Sequence, residues 1–277
     1  MNQWVLKRKN EDEDQNTTNV YRIFKKKTGS LGGAAVGGSI YGEVTEKSFD
    51  RLVQMLVNQC DFDNNSIFLD IGSGLGKPNL HTSVYPGVKY SFGVEISGAR
   101  WWQSLVVLKS FLESGIGSNV FMAHADVMSI DTFDPVTHIY TFNTGFPFDT
   151  MQHIANSFNR SSSTMWISCY DNPTTMTEYG FDAHLIEKLP MKLNGSGNQH
   201  MCYIYKKNKN TLNSCNNNSW TLPPVPTDKK YAPHVEHTET YINGLVLMNN
   251  LDKYKEWIES QIGLDRARRK TRYENKD

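Results

Sequence analysis

Apolar residues in the 277-residue chain follow two rhythms, one of isolated short runs and one of recurrence every three or four positions. Beginning at Tyr41, Phe49, Leu52, Val53 and Leu56 fall on one helical face behind Thr45 in the N-cap position, which predicts a helix entering the core. Ile67 to Ile71 is a short apolar run that stops at glycines, and similar runs cover Tyr90 to Val94, Val120 to Ala125, His138 to Phe142 and Met165 to Tyr170. Their length and β-branched or aromatic content predict five strands. Between the second and third runs, Ala99, Trp102, Leu105, Val106, Lys109 and Leu112 outline an amphipathic helix with Gly115 near its end. Strands alternating with helices imply parallel crossovers. Ala183 to Leu189 and His200 to Lys206, joined by the turn-rich LNGSGNQ, read as an antiparallel hairpin. The expected fold class is therefore α/β: a seven-stranded Rossmann-like sheet, mostly parallel, with a terminal antiparallel hairpin and helices on both faces.

The flanks lack either rhythm. Residues 1–40 are mixed-charge and then glycine-rich (TGSLGGAAVGG), a composition that buries little, and they read as a flexible arm. Residues 41–207 form the core. Residues 208–277 read as a linker, from an asparagine-rich stretch and TLPPVPTD, then a short helix near Leu251 to Ile262 and a basic extension. Lys and Arg together number 29, as do Asp and Glu, so attraction to nucleic acid or an anionic membrane must come from a local patch. Four cysteines with neither paired metal spacing nor disulfide density suggest a reducing compartment and no metal site. No window approaches the roughly 18 apolar residues of a membrane span, and the expectation is a soluble intracellular protein.

Chemistry concentrates at the ends of the predicted strands. IFLDIGSGLGK, residues 67–77, sets Asp70 at a strand end followed by Gly72, Gly74 and Gly76. A dinucleotide fingerprint places its third glycine one residue later to aim a pyrophosphate at a helix, so this loop suits a nucleoside without one. Alone, such a loop is as often a simple tight turn. Glu95 ends the next strand 19 residues beyond Gly76, where a carboxylate meets ribose hydroxyls, and Asp126 with Val127 follows the third strand, placed for an adenine amine and ring. Three successive strand ends bearing acids point to a ligand at the carboxyl edge of the sheet. The fourth strand runs into YTFNTGFP, which offers Asn143 between Phe142 and Phe146. The Asn/Asp-Pro-Pro-aromatic motif of amino-methylating nucleic-acid enzymes is not there, and Asn172-Pro173 after the fifth strand reads as a turn.

Five βα-type strands and a terminal hairpin are the class I methyltransferase inventory. With Tyr41-Gly42-Glu43 before the helix SFDRLVQML, FLDIGSGLGK, GVE at 93–95, ADVMS at 125–129, FNTGF at 142–146 and the late GSGNQHMCYIYK, the chain resembles the non-SET histone H3 lysine methyltransferases of the disruptor-of-telomeric-silencing (Dot-type) family over roughly residues 41–207. The resemblance implies S-adenosyl-L-methionine as cofactor. It also implies binding by Tyr41, Gly42, Glu43, Val44, Phe68, Asp70, Gly72, Ser73, Gly74, Gly76, Lys77, Glu95, Asp126 and Val127. Asn143 and Tyr41 would lie beside the methyl group, and Phe146 and Tyr203 would line a lysine channel. A nuclear protein acting on histone H3 in nucleosomes follows, with DNA contact through Arg266, Arg268, Arg269, Lys270 and Arg272 and through Lys25, Lys26 and Lys27. The sequence departs from the family where Lys77 replaces glutamine, Val127 replaces phenylalanine and FNT replaces NNF. Lys77 is expected to meet the carboxylate of the methionine moiety. Two other readings remain open: a class I methyltransferase acting on RNA, another protein or a small molecule, and an inactive methyltransferase-like binding module.

Overall fold

A computed structural model describes residues 20–24, 43–114, 119–194 and 199–208. All seven expected strands form: β1 (Ile67–Ile71), β2 (Tyr90–Glu95), β3 (Val120–His124), β4 (His138–Thr141), β5 (Trp166–Cys169), β6 (Ala183–Lys192) and β7 (Gln199–Lys207). They make one sheet in the order β3-β2-β1-β4-β5-β7-β6. The first five run parallel, and β7 is antiparallel to both β5 and β6. The order reverses between β1 and β4, so their carboxyl ends open a crevice of the kind in which α/β sheets hold ligands. Two buried clusters, one on each face, sandwich the sheet.

The helices are α1 (Glu46–Gln59), α2 (Lys77–Val84), α3 (Gly98–Glu113), α4 (Phe148–Arg160) and α5 (Pro173–Tyr179). Phe49, Leu52, Val53 and Leu56 of α1 are buried as the spacing predicts, but the Thr45 side chain makes no capping bond. Helix α3 turns differently from its sequence reading. Its buried side is Trp101, Leu105, Leu108 and Phe111, while Val106 is exposed. The indole of Trp101 fixes this rotation by donating to the Met122 backbone oxygen at 2.8 Å. Gly115 lies outside the described residues. Helices α4 and α5, not anticipated from the pattern, cover one face. In α5, Asn172 accepts from the Thr174 and Thr175 amides and Pro173 opens the first turn, so Asn172-Pro173 is a helix start and not a plain turn.

The 1–40 arm needs correction at residues 20–24. That stretch is helical, with Val20 and Phe24 buried in the core and Phe24 packed on Phe111 at 5.6 Å between ring centroids. Two large apolar side chains repaid the ordering entropy that composition alone argued against. The rest of the arm, with Lys25, Lys26 and Lys27, lies outside the described residues, as do residues 209–277 and their basic cluster. No helix among the described residues is long and apolar enough to cross a membrane.

Candidate active site

The glycine loop after β1 is pinned to β2. The Gly72 and Ser73 amides both donate to the Val94 backbone oxygen, at 2.8 and 3.1 Å. Gly72 has φ of +78°, and a Cβ there would meet Phe146 Cζ at 3.1 Å, so Phe146 lies across the loop. Gly93 answers a tighter constraint. A Cβ at that position would stand 2.7 Å from Met122 Cε and 2.8 Å from Ser73 Oγ, which explains the glycine in GVE.

Below the loop a cleft open to solvent is lined by Glu43, Val44, Asp70, Gly72, Ser73, Lys77, Pro78, Tyr140 and Phe142. Tyr41 and Gly42 lie outside the described residues. Val44 bridges to Leu193 and Thr45 N–H donates to the Lys192 oxygen, so the entry segment is tied to the terminal hairpin and holds Glu43 over the cleft. The sequence reading expected Lys77 to meet the carboxylate of the methionine moiety; in the structure its ammonium is paired with the buried Glu43 carboxylate. It also sits 5.5 Å from the centroid of Phe24. Phe68 faces away into the core behind α1.

Asp70 is buried, and among the described residues nothing hydrogen-bonds its carboxyl. Burial first, and then the nearby Glu95 charge, hold its pKa well above the carboxylate range. Ser73 Oγ is likewise buried with no partner among the described residues. Unspent polar groups beside a cleft fit a polar, partly cationic ligand, because leaving them unmet is costly.

Glu95 is less free than its position suggested. Its Oε2 accepts from the Gly74 amide at 2.9 Å, and its Oε1 accepts from the Ser97 amide at 2.7 Å and Arg100 Nε at 3.3 Å. A carboxylate has about four acceptor sites, so a ribose diol would have to share Oε2 with the Gly74 amide. Asp126 is exposed, and its Oδ1 caps a single turn at Val127–Ser129 while Val127 is buried. Ile96, next to Glu95, is 63 % exposed. This bare apolar side chain stands at the same edge, and sequence reasoning did not single it out because nothing in the pattern separates it from ordinary surface.

On the β4–β5 side, the cleft is met by Phe142 and not Asn143. Successive residues at a strand end point to opposite faces, so Tyr140 and Phe142 share the cleft side. Asn143 turns the other way and is fully engaged there. Its Oδ1 accepts from the Tyr170 amide at 2.9 Å, and its Nδ2 donates to Asp171 Oδ2. Phe142, Tyr170 and His200 form a corner of mutually steep rings, with centroids 4.7 Å apart for Phe142–Tyr170, 6.1 Å for Phe142–His200 and 6.5 Å for Tyr170–His200. Tyr140 and Tyr170 hydroxyls lie 3.1 Å apart. Tyr203 stacks beside Tyr205 at 6.3 Å on the opposite face. Neither it nor Phe146 lines the cleft. No group of three or more metal-ligating side chains occurs among the described residues.

A family model for the histone methylation protein DOT1 matches residues 34–101, the stretch that holds the entry segment, α1, the glycine loop and Glu95. No curated protein matches the chain. Among solved structures, the candidate RNA methyltransferase PH1948 from Pyrococcus horikoshii is 11% identical at TM-score 0.50, covering 70% of this chain and 98% of that one. TrmN from Thermus thermophilus is 16% identical at TM-score 0.44, covering 56% of this chain, which spans 48% of that one. Magnesium protoporphyrin IX methyltransferase from Synechocystis PCC 6803, solved with bound SAH, is 10% identical at TM-score 0.46, covering 72% of this chain and all (100%) of that one. At such identities the likeness to PH1948 shows the fold alone. The strand order and the likeness to PH1948 show the class I methyltransferase fold, and within it residues 34–101 are similar to the DOT1 histone methylation family.

Proposed function

We propose that the chain is a nuclear histone-lysine N-methyltransferase that transfers a methyl group from S-adenosylmethionine to a lysine in the folded core of histone H3 on nucleosomes. The observation that carries this reading is the DOT1 match, because it takes in the entry segment that places Glu43 over the cleft as well as the glycine loop.

S-adenosylmethionine supplies an electrophilic methyl group on a sulfonium. Asp70 and Ser73 would hold the polar end of the methionine moiety, with Lys77 and Glu43 closing it as a neutral pair. Glu95 would take the ribose, and Asp126 and Ile96 the adenine. Tyr41 and Gly42 would complete the entry loop, as the resemblance implies. The acceptor amine must be neutral to attack. Bringing a lysine from its ordinary pKa of about 10.4 to neutrality at pH 7.4 costs roughly 4 kcal/mol. Desolvation against rings disfavours the ammonium, and the corner of Phe142, Tyr170 and His200 is the surface beside the cleft that does this. Phe142 takes the lining role that the sequence reading gave to Phe146 and Tyr203. Asn143 acts indirectly, by joining the loop after β4 to the loop after β5.

The deciding experiment incubates recombinant protein and labelled donor with free histones, nucleosomes and RNA, and locates the methyl group by mass spectrometry. Label on a histone H3 core lysine only in nucleosomes is expected. Label on RNA alone would overturn the reading. The nucleosome brings DNA, and the segment 265–277 with Arg266, Arg268, Arg269, Lys270 and Arg272 is proposed to meet phosphates. Its deletion should flatten the salt dependence of nucleosome binding. An unchanged slope removes that contact.

A further inference from the structure

Five acids lie over the cleft or along the carboxyl edge of the sheet, and four are accounted for. Glu43 pairs with Lys77, Glu95 pairs with Arg100, Asp126 is exposed and caps its own turn, and Asp70 opens onto the donor cleft. Asp171 is the fifth. It follows β5 and accepts at Oδ2 from Asn143 Nδ2, while the neutral Tyr179 hydroxyl lies near enough to favour its charged form. The Asn143 amide is neutral too, and no cation among the described residues pairs with it. Burial is the first cause that raises its carboxyl above the usual range, ahead of the lowering effect of Asn143 and Tyr179.

The place is rigid. The Asp171 backbone oxygen accepts from the Tyr205 hydroxyl at 2.7 Å, and the next residue, Asn172, caps α5. Aromatic rings lie nearby, with the half-buried Tyr179 ring packed at 5.2 Å and 56° on Phe148, which is 50 % exposed at the start of α4. A prearranged carboxylate that meets only neutral donors, near a partly exposed ring pair, is complementary to a positive charge through Coulomb attraction, with cation–π contact to the rings adding to it. An anion or an apolar group would leave the carboxylate unmet.

We infer that Asp171, with Tyr179 and Phe148 nearby, is a subsite for a protonated side chain of the substrate. The identity of that substrate as a histone rests on the function proposed above, while the subsite itself does not. The shared chemistry is an ammonium or guanidinium group, either the target lysine before it loses its proton or a basic residue beside it.

The probe is n-butylammonium chloride, compared with n-butanol at equal ionic strength, followed by NMR through the Asn143 side-chain amide of the full chain. The ammonium is expected to shift this signal saturably and butanol to leave it unmoved. Asp171→Asn should weaken the response about tenfold or more, and Phe148→Ala, at an exposed position that keeps the fold, should weaken it by a smaller factor. An equal response to butanol, or no response to the ammonium, overturns the subsite.

With nucleosomes, Asp171→Asn should raise KM about tenfold while calorimetric donor affinity stays constant. A parallel loss of donor affinity would assign Asp171 to the donor cleft and overturn the inference. In nucleosomes whose target lysine is replaced by methionine, a persisting binding penalty supports a neighbouring basic residue as the occupant, and a vanished one supports the lysine itself. Nucleosomes left unmethylated by the wild type would defeat the histone reading alone, since the butylammonium response does not depend on it.

Discussion

The two sides of the crevice are built from different chemistry. On the β1–β3 side, Asp70 apart, the buried acids are met within the protein: Lys77 answers Glu43, Arg100 and two amides answer Glu95, and the glycine loop is stitched to Val94. On the β4–β5–β7 side stand aromatic rings and one carboxylate held by neutral donors. The family match also falls on the first side, at residues 34–101. A donor of constant shape demands backbone amides and carboxylates at set positions, which few sequences can provide. A surface that meets a substrate through ring faces tolerates many sequences, and this is where FNT replaces the family's NNF.

The comparison breaks most sharply at Gly74. Gly74→Arg places a side chain at φ +56° and displaces the amide that Glu95 accepts. Donor affinity by calorimetry should fall more than about a thousandfold, or roughly 4 kcal/mol. Retained affinity would move the donor elsewhere. Lys77→Met comes next, because it strands the buried Glu43 carboxylate. Denaturant titration should show a loss of about 3–5 kcal/mol, and adding Glu43→Gln should restore most of it.

Acid tests both sides together. His81 on α2 and His138 on β4 are buried, and burial is the first cause that lowers their pKa, to about 3 and about 4. The unfolded chain binds their protons from about pH 6.5 downward while the native fold does not, so stability should be level above that pH and fall as pH drops through it. His138 alone should contribute about 3 kcal/mol by pH 4. Melts of His138→Gln between pH 4 and 7 should show a shallower slope. A wild type equally stable at pH 4 and 7 would contradict this assignment. The smallest effect is expected at Asn143→Ala, which unties the loops after β4 and β5. Stability should fall by about 1–3 kcal/mol with donor affinity unchanged. A loss of donor affinity there would erase the distinction between the two sides.

Much of the sheet was legible. Strands β1 to β5 appeared as apolar runs because a parallel strand buried on both faces can be little else, and Asp70, Glu95 and Asp126 fell at or just beyond the carboxyl ends of β1, β2 and β3, the edge at which such sheets hold ligands. Other features were not legible. The α3 face lay a step away from its predicted side because both Trp101 and Trp102 satisfy helical periodicity, and only the Trp101 bond to the Met122 oxygen distinguishes them. Asn143 drew attention by side-chain type, whereas its bonds to Tyr170 and Asp171, away from the cleft lined by Phe142, depend on strand parity, which the sequence did not show. The shift to Phe142 follows from where β4 ends against β1 and β5.

Local composition thus specified the alternation of strands and helices, the glycine bend and the acidic residues, all of which depend on near neighbours in the chain. The partners of those residues came from packing: Lys77 with Glu43 across 34 positions, Asn143 with Asp171 across 28, and Val20 and Phe24 in the core. Such pairings form when distant segments meet and share one low-dielectric interior, a condition that residue order does not display.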